Sequence, residues 1–146
     1  MLWLFHSHFI TLTVKYTGCY RDNKPRAIPG KDGKDVLIRD YYRKRVDAVS
    51  KCALVALRFG FRVFAVQHQG WCATGPRAHR TYHKYGRSKR CRNGKGGPLA
   101  NDVYTIYGKD LENAPFKMHS YDFFIHKLRW RIGKGIFRFE QRVQKS

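Results

Sequence analysis

The chain predicts an α+β fold: a small, mostly antiparallel sheet packed against one helix and stapled by disulfides. Three observations predict it. Small or apolar residues at Val49, Cys52, Ala53 and Ala56 recur at i, i+3, i+4 and i+7, the spacing of one helix face. Residues 61–67 (FRVFAVQ) follow at once; they are rich in β-branched and aromatic side chains and too short for a second helix, so they read as a strand. His68-Gln69-Gly70 is then a turn, and Trp71-Cys72-Ala73 a return strand. The third observation is the cysteines, four in 146 residues. Cys52 lies on the helix and Cys72 on the hairpin, so a helix laid across the hairpin brings their sulfurs together.

The elements follow in chain order. Residues 1–13 (MLWLFHSHFITLT) form an apolar leader, read as a degraded signal peptide or an extra strand. It starts without a positive residue, His6 and His8 interrupt it, and no small-x-small site follows. It is also too short to span a bilayer. Residues 16–22 read as a strand in which Gly18 permits close backbone approach. Asn23-Lys24-Pro25 is a turn, because Pro25 fixes φ and keeps its predecessor out of helix. A second turn cluster spans 29–33. Residues 36–45 (VLIRDYYRKR) fit either one extra helical turn or an exposed loop. Asp47 is placed to cap the helix with its carboxylate, and Gly60 to end it in the left-handed conformation. The glycines of 94–97 make a tight approach before a last strand over 103–107.

Residues 109–146 form a basic tail. Asn113-Ala114-Pro115 marks a linker, and Ser120 caps an amphipathic helix on which Tyr121, Phe124, Ile125, Leu128 and Ile132 share a face. Gly133 and Gly135 end that helix, and 135–143 reads as a strand or a second helix. A basic amphipathic helix suits an acidic protein or an anionic membrane surface.

Charge narrows the partners. The chain carries 30 Lys+Arg against 10 Asp+Glu, a formal net charge of +20. Residues 14–108 hold 21 of the cations against 6 acids, all Asp, so the excess belongs to the folded module and not to the tail alone. Such a charge attracts polyanions: nucleic acid, anionic lipid, or sulfated and uronic-acid glycans. Most distinctive are residues 75–97 (GPRAHRTYHKYGRSKRCRNGKGG), with eight cations and no acid. Arg87, Lys89, Arg90, Arg92 and Lys95 are the candidate anion contacts. Trp71, Tyr82 and Tyr85 are the candidate stacking platforms, since flat rings stack on sugar faces or bases while guanidinium groups fork onto sulfate, carboxylate or phosphate. The competing reading of the same stretch is a solvated basic surface with Trp71 and Tyr85 filling the core.

The order of motifs resembles the WSC domain, an extracellular cysteine-rich module. The resemblance rests on Tyr16-Thr17-Gly18-Cys19-Tyr20-Arg21-Asp22, Arg26-Ala27-Ile28-Pro29, Cys52 in a helix, Gly60-Phe61-Arg62-Val63-Phe64-Ala65-Val66-Gln67, Cys72, Cys91, Gly96-Gly97 and Val103-Tyr104. It covers residues 14–108, the module of the chain. It implies the pairing Cys52–Cys72 and Cys19–Cys91, where four cysteines by themselves allow three connectivities. In a chain-entropy model the shorter loop contributes roughly 3 kcal/mol and the longer roughly 4 kcal/mol. The chain departs from the family by lacking two of its usual disulfides. Ala56 stands where the family has a cysteine one turn after Cys52, Thr74 stands two residues after Cys72 where its partner is expected, and Lys95 stands in place of one of the late pair.

The resemblance implies carbohydrate binding or adhesion in the extracellular space, as a unit of a larger secreted or cell-surface protein, with an anionic polysaccharide as partner. The alternatives are a basic nucleic-acid-binding protein and a structural interaction module without a small ligand. No cofactor or metal is implied. A zinc site from Cys72, His79, His83 and Cys91 has a paired i, i+4 histidine spacing but lacks a close cysteine knuckle. The run 94–97 lacks the strand–loop–helix context and the Lys-Ser/Thr ending of a phosphate loop. Nor is an enzyme expected: the module's Asp residues form no evident acid–base pair, and Ser50, Ser88 and the histidines show no triad-like setting.

Overall fold

The computed structural model describes residues 8–108, 131–133 and 136–143. Strand β1 (His8–Arg21) is followed by helix α1 (Ala48–Arg58), strands β2 (Val63–Gln67) and β3 (Trp71–Thr74), a single turn of helix α2 (Ala78–Thr81), and strands β4 (Ala100–Tyr107), β5 (Arg131–Gly133) and β6 (Ile136–Val143). The strands form one sheet in the order β3-β2-β4-β1-β6-β5, every neighbouring pair antiparallel. The disulfide-stapled α+β fold is therefore as expected.

Helix α1 buries Ala48, Cys52, Ala53, Val55 and Ala56, and these small side chains let it lie close on the sheet. Its contacts fall on β2 and β3. The expected start is corrected. Asp47 is the N-cap residue but adopts φ 53°, ψ 42°, and its side chain makes no capping bond. A capping carboxylate needs an extended backbone to reach back to the first free N–H groups; the left-handed twist here forfeits that. The end is as expected: Gly60 N–H donates to the Leu57 carbonyl and Phe61 N–H to the Ala56 carbonyl, the paired bonds of a Schellman motif, with Gly60 at φ 79°.

Both faces of the sheet are covered over β3, β2, β4 and the adjoining part of β1. On the helix side, Val14, Phe64, Val66, Cys72, Tyr104 and Ile106 meet α1 and the buried Ile38. On the other side, Tyr20, Val63, Ala65, Ala73 and Val103 meet Ile28 and Ala78, with Trp71 and Tyr82 half-buried against them. Cross-strand partners share a face, so the register gives continuous rows: Cys72, Val66, Asp102 and Cys19 on the helix side, and Trp71, Gln67, Asn101 and Tyr20 on the other. The disulfides are Cys52–Cys72, tying α1 to β3, and Cys19–Cys91, tying β1 to the basic loop. Both arise from the same row of the sheet.

Three stretches differ from or go beyond the expectations. Strand β1 begins at His8, well before Tyr16, and a bulge interrupts its register between Tyr16 and Gly18. Gly18 has φ 150°, and a Cβ there would press on the Tyr20 ring and the Arg87 guanidinium. Residues 36–45 are neither one helical turn nor an exposed loop. They form two 3₁₀ turns, Val36–Ile38 and Tyr42–Lys44, around a buried Arg45. In the tail, residues 109–130 lie outside the described residues. Ile132 belongs to strand β5 and not to a helix, and of the two readings for 135–143 the strand is the one present, paired along β1 from Lys15↔Ile136 to His8↔Val143. Pairing with an open strand edge satisfies backbone groups along that whole stretch, which an amphipathic-face count does not register.

Arg45 holds the 32–45 segment to the hairpin. Its Nε donates to Asp40 (2.6 Å), Nη1 to Asp32 (3.0 Å) and the Gly70 carbonyl (2.7 Å), and Nη2 to the Ile38 (3.0 Å) and Asp40 (2.7 Å) carbonyls. Asp32 also accepts the Cys72 N–H at 2.8 Å. Removing one member of a buried ion pair leaves its partners unpaired and costs about 3–5 kcal/mol. Arg45→Met is therefore expected to lower the unfolding free energy by about 3 kcal/mol in non-reducing urea titrations, while Arg43→Met, on an exposed side chain, leaves it essentially unchanged. Equal effects would remove Arg45 from the core account.

Candidate functional site

The basic stretch 75–97 is a fixed surface and not a free loop. Ala78 of α2 is buried in the face opposite α1. Tyr85 donates its hydroxyl to the Pro25 carbonyl (2.6 Å). Residues 86–88 add to the edge of β1 that β4 leaves open: Arg21 N–H donates to the Gly86 carbonyl (2.9 Å) and Ser88 N–H to the Cys19 carbonyl (3.0 Å). Cys91 is bonded to Cys19. The stretch closes through Gly96, whose N–H donates to the buried Asp102 carboxylate at 2.8 Å. Gly96 has φ 69°, and a Cβ there would run into the Val66 and Ala100 carbonyl oxygens, so no other residue fits without moving the backbone.

On this frame all eight cations of the stretch are exposed. Among the described residues the ion pairs are Asp22–Arg26, Asp32–Arg45, Asp40–Arg45, Asp40–Lys51 and Asp35–Arg58. None involves a residue between 75 and 97. Asp102, the acid nearest the stretch, is taken up by the Tyr16 hydroxyl (2.7 Å) and the Gly96 N–H.

The site residues expected from the sequence divide between two surfaces. Tyr82 packs edge-on against Tyr20 at 4.9 Å, and the Arg87 guanidinium lies 5.2 Å from the same Tyr20 ring, so Tyr82 and Arg87 come together on the face opposite α1. Trp71 is on that face but apart from them, its ring covered on one side by Arg26 at 4.5 Å and seated on Gly30. Tyr85 is half-buried beside Lys84. Arg90 and Lys95 are exposed, and Arg92 folds its Nη1 back onto the Lys89 and Cys91 carbonyls, both at 2.9 Å. Lys89 instead lines an open pocket of about 440 Å³ with Tyr16, Cys19, Ser88, Cys91, Asn93, Gly94, Asp102 and Tyr104. Sequence reasoning did not name this pocket. Its floor belongs to the helix-side rows of β1 and β4 and its wall to residues 88–94, segments joined by the Cys19–Cys91 bridge, the Ser88 N–H bond to the Cys19 carbonyl and the Tyr104 hydroxyl bond to the Gly94 carbonyl.

The cysteines of the zinc alternative are consumed by two different disulfides, which removes Cys72 and Cys91 as thiolate ligands. The sulfurs of Cys19 and Cys91 do lie within 4.8 Å of an Asp102 oxygen, but as a cystine they offer no thiolate.

Two pocket tyrosines are held protonated. Burial raises the Tyr16 phenol, and its hydrogen bond to the Asp102 carboxylate and that charge raise it further. Tyr104 is raised by burial first, then by Asp102 and Tyr16. No protein-family model, curated protein or solved structure matches the chain.

The phenol shifts give a pH dependence. A folded-state pKa raised above the unfolded value of about 10 favours the native state fully below that pH and progressively less above it. At about pH 11 the phenolate absorbance of the native protein is expected to fall short of that in denaturant by at least the equivalent of Tyr16 and Tyr104, with the Tyr82 phenol, also raised by burial, adding to the gap. Tyr16→Phe should narrow the gap by one tyrosine. No gap in the wild type would contradict the buried Tyr16–Asp102 bond.

Proposed function

We propose that the chain is a divergent WSC-like module that binds anionic glycans outside the cell, as one unit of a larger secreted or cell-surface protein, and that its role is adhesion or carbohydrate recognition and not catalysis. The observation that carries the reading is the eight exposed cations of 75–97, which have no carboxylate partner among the described residues and are held on a disulfide-pinned frame. Lysine and arginine heads held in this way are available to sulfate and uronate groups without first breaking internal pairs. The two disulfides fit an oxidising compartment, and extracellular residence extends that. Among the described residues no helix is long and apolar enough to cross a membrane.

The family reading has its own support. Ala56 and Thr74 are both fully buried. One helical turn from Cys52 to Ala56 advances about 6 Å, and two strand residues from Cys72 to Thr74 advance about 6.6 Å. The double variant Ala56→Cys, Thr74→Cys is expected to form a third disulfide, seen by peptide mapping without reduction. Two free thiols at these positions would argue against a WSC-like core.

The ligand reading is tested by competition between a heparin-like glycan and single-stranded nucleic acid of matched charge. The glycan is expected to win, with binding that falls steeply as salt rises because exposed contacts are screened within about 8–10 Å at physiological ionic strength. Joint neutralisation of Arg87, Lys89, Arg90, Arg92 and Lys95 should abolish it. A nucleic acid that wins by about tenfold, or 1.4 kcal/mol, would make the chain a nucleic-acid binder instead. Retention of neither polyanion at about 150 mM salt would leave a solvated surface.

A further inference from the structure

We propose that the pocket beside the Cys19–Cys91 bridge is a subsite for one acidic sugar residue, with its anionic group on Lys89 and its hydroxyls on Tyr16, Ser88 and Asn93. This deepens the anionic-glycan reading and rests on it. The pocket's volume of about 440 Å³ lies in the range of small-ligand sites, about 300–1,000 Å³. Its chemistry is mixed in a way that a generic polyanion groove does not need. The Tyr16 ring supplies a flat apolar wall, and that residue is 42% exposed although its hydroxyl is spoken for. Because the hydroxyl donates to Asp102, its oxygen presents only lone pairs to the pocket, so it accepts from a ligand hydroxyl and does not donate. Ser88 accepts the Arg90 N–H at 3.2 Å, which leaves its O–H to donate. The Asn93 side chain makes no hydrogen bond among the described residues and offers both a donor and an acceptor. Its backbone is set at φ 54°, which Asn tolerates. Among the described residues Lys89 is exposed with no ion-pair partner, and is the one cation lining the pocket.

A ring wall, an obligate acceptor, two neutral polar groups and one ammonium match a pyranose carrying one negative charge; the Asp102 carboxylate also lines the pocket, but it is buried and its two oxygens accept from the Tyr16 hydroxyl and the Gly96 N–H. A nucleic-acid strand would instead ask for further cations along a track. The neighbouring cations point elsewhere: Arg87 onto Tyr20 and Arg92 onto the Lys89 and Cys91 carbonyls. The pocket therefore reads one sugar, while the rest of the stretch supplies sequence-independent attraction for the chain that carries it.

The probes are a glucuronate disaccharide, its carboxyl-reduced neutral counterpart, and a long heparin-like chain, each titrated into the full-length protein and followed by amide NMR shifts. The glucuronate disaccharide is expected to shift residues 88–94 together with Tyr16 and Asp102, and the neutral sugar to bind the same residues about tenfold more weakly. Ser88→Tyr, which fills the pocket, should abolish disaccharide binding and leave long-chain affinity within about threefold. Lys89→Gln, on an exposed side chain, should bring the two disaccharides to equal, weak affinity with the fold intact. Long-chain binding without disaccharide binding, disaccharide shifts spread over Arg77 and Arg80, or equal affinity of acidic and neutral sugars in the wild type would each overturn the subsite while leaving the glycan surface standing. Loss of the long chain as well in the wild type would overturn both.

Discussion

The buried guanidinium of Arg45 is the constraint on which the arrangement of helix and hairpin depends. Its side chain is fully enclosed, and a charge in that position is tolerable only if its donors are matched. They are matched by groups from separate places in the chain: the carboxylates of Asp32 and Asp40, the carbonyls of Ile38 and Asp40 before α1, and the Gly70 carbonyl at the hairpin turn. Gly70 has no side chain there because a Cβ would strike the Tyr42 carbonyl. Asp32 passes the constraint on to β3 through the Cys72 N–H. The residue that ends the polar segment is thus bonded to the strand whose cysteine holds α1, and the Cys52–Cys72 bridge closes between elements already positioned.

The same bonds decide where the net charge is felt. The module has six Asp residues, and four of them are spent on Arg26, Arg45, Lys51 and Arg58. Asp102 is spent on Tyr16 and a backbone N–H. Residues 26–58 are in this way partly neutralised, while 75–97 keep every positive charge. Like charges so concentrated repel one another and disfavour a compact state. What offsets the repulsion is covalent and backbone: the Cys19–Cys91 bond, the strand-edge bonds of 86–88, and the Gly96–Asp102 contact. The surface is thus held together by means unrelated to its charge.

Much of the fold was legible because the signals were local. The helix face, its Gly60 stop, the 61–67 strand and the turn at 68–70 each follow from periodicity or from one residue's backbone preference, and all are present. Legibility failed where the deciding partner lies far along the chain. Arg45 looks like one more surface cation until Asp32, Asp40 and Gly70 converge on it. Asp47 has the right side chain for a cap but a left-handed backbone, which no short window reveals. The early start of β1 and the strand at Ile136–Val143 exist as each other's partner, so neither segment announces itself alone. For the candidate site, composition pointed to the stretch, and the resemblance implied the bridge that pins it. The division of Trp71, Tyr82 and Lys89 between surfaces depends on strand register, which composition does not encode.

That register is also what joins the staples to the pocket. Cys72, Val66, Asp102 and Cys19 form one row across four strands on the helix side. At one end of the row the cystine carries α1, which covers β2 and β3. At the other end the cystine carries residues 88–94, and Asp102 between them anchors both Tyr16 and Gly96. Helix α1 packs mainly over β2 and β3, and the space beside Cys19 is walled by the basic stretch. A one-residue slip of β1 against β4 would turn Cys19 to the opposite face, separate it from Cys91 and abolish the pocket. The bulge between Tyr16 and Gly18, with a glycine where a side chain would collide with Tyr20 and Arg87, fixes that register. The shape of this surface is therefore set by one irregular point in β1, about two residues from the bridge beside it.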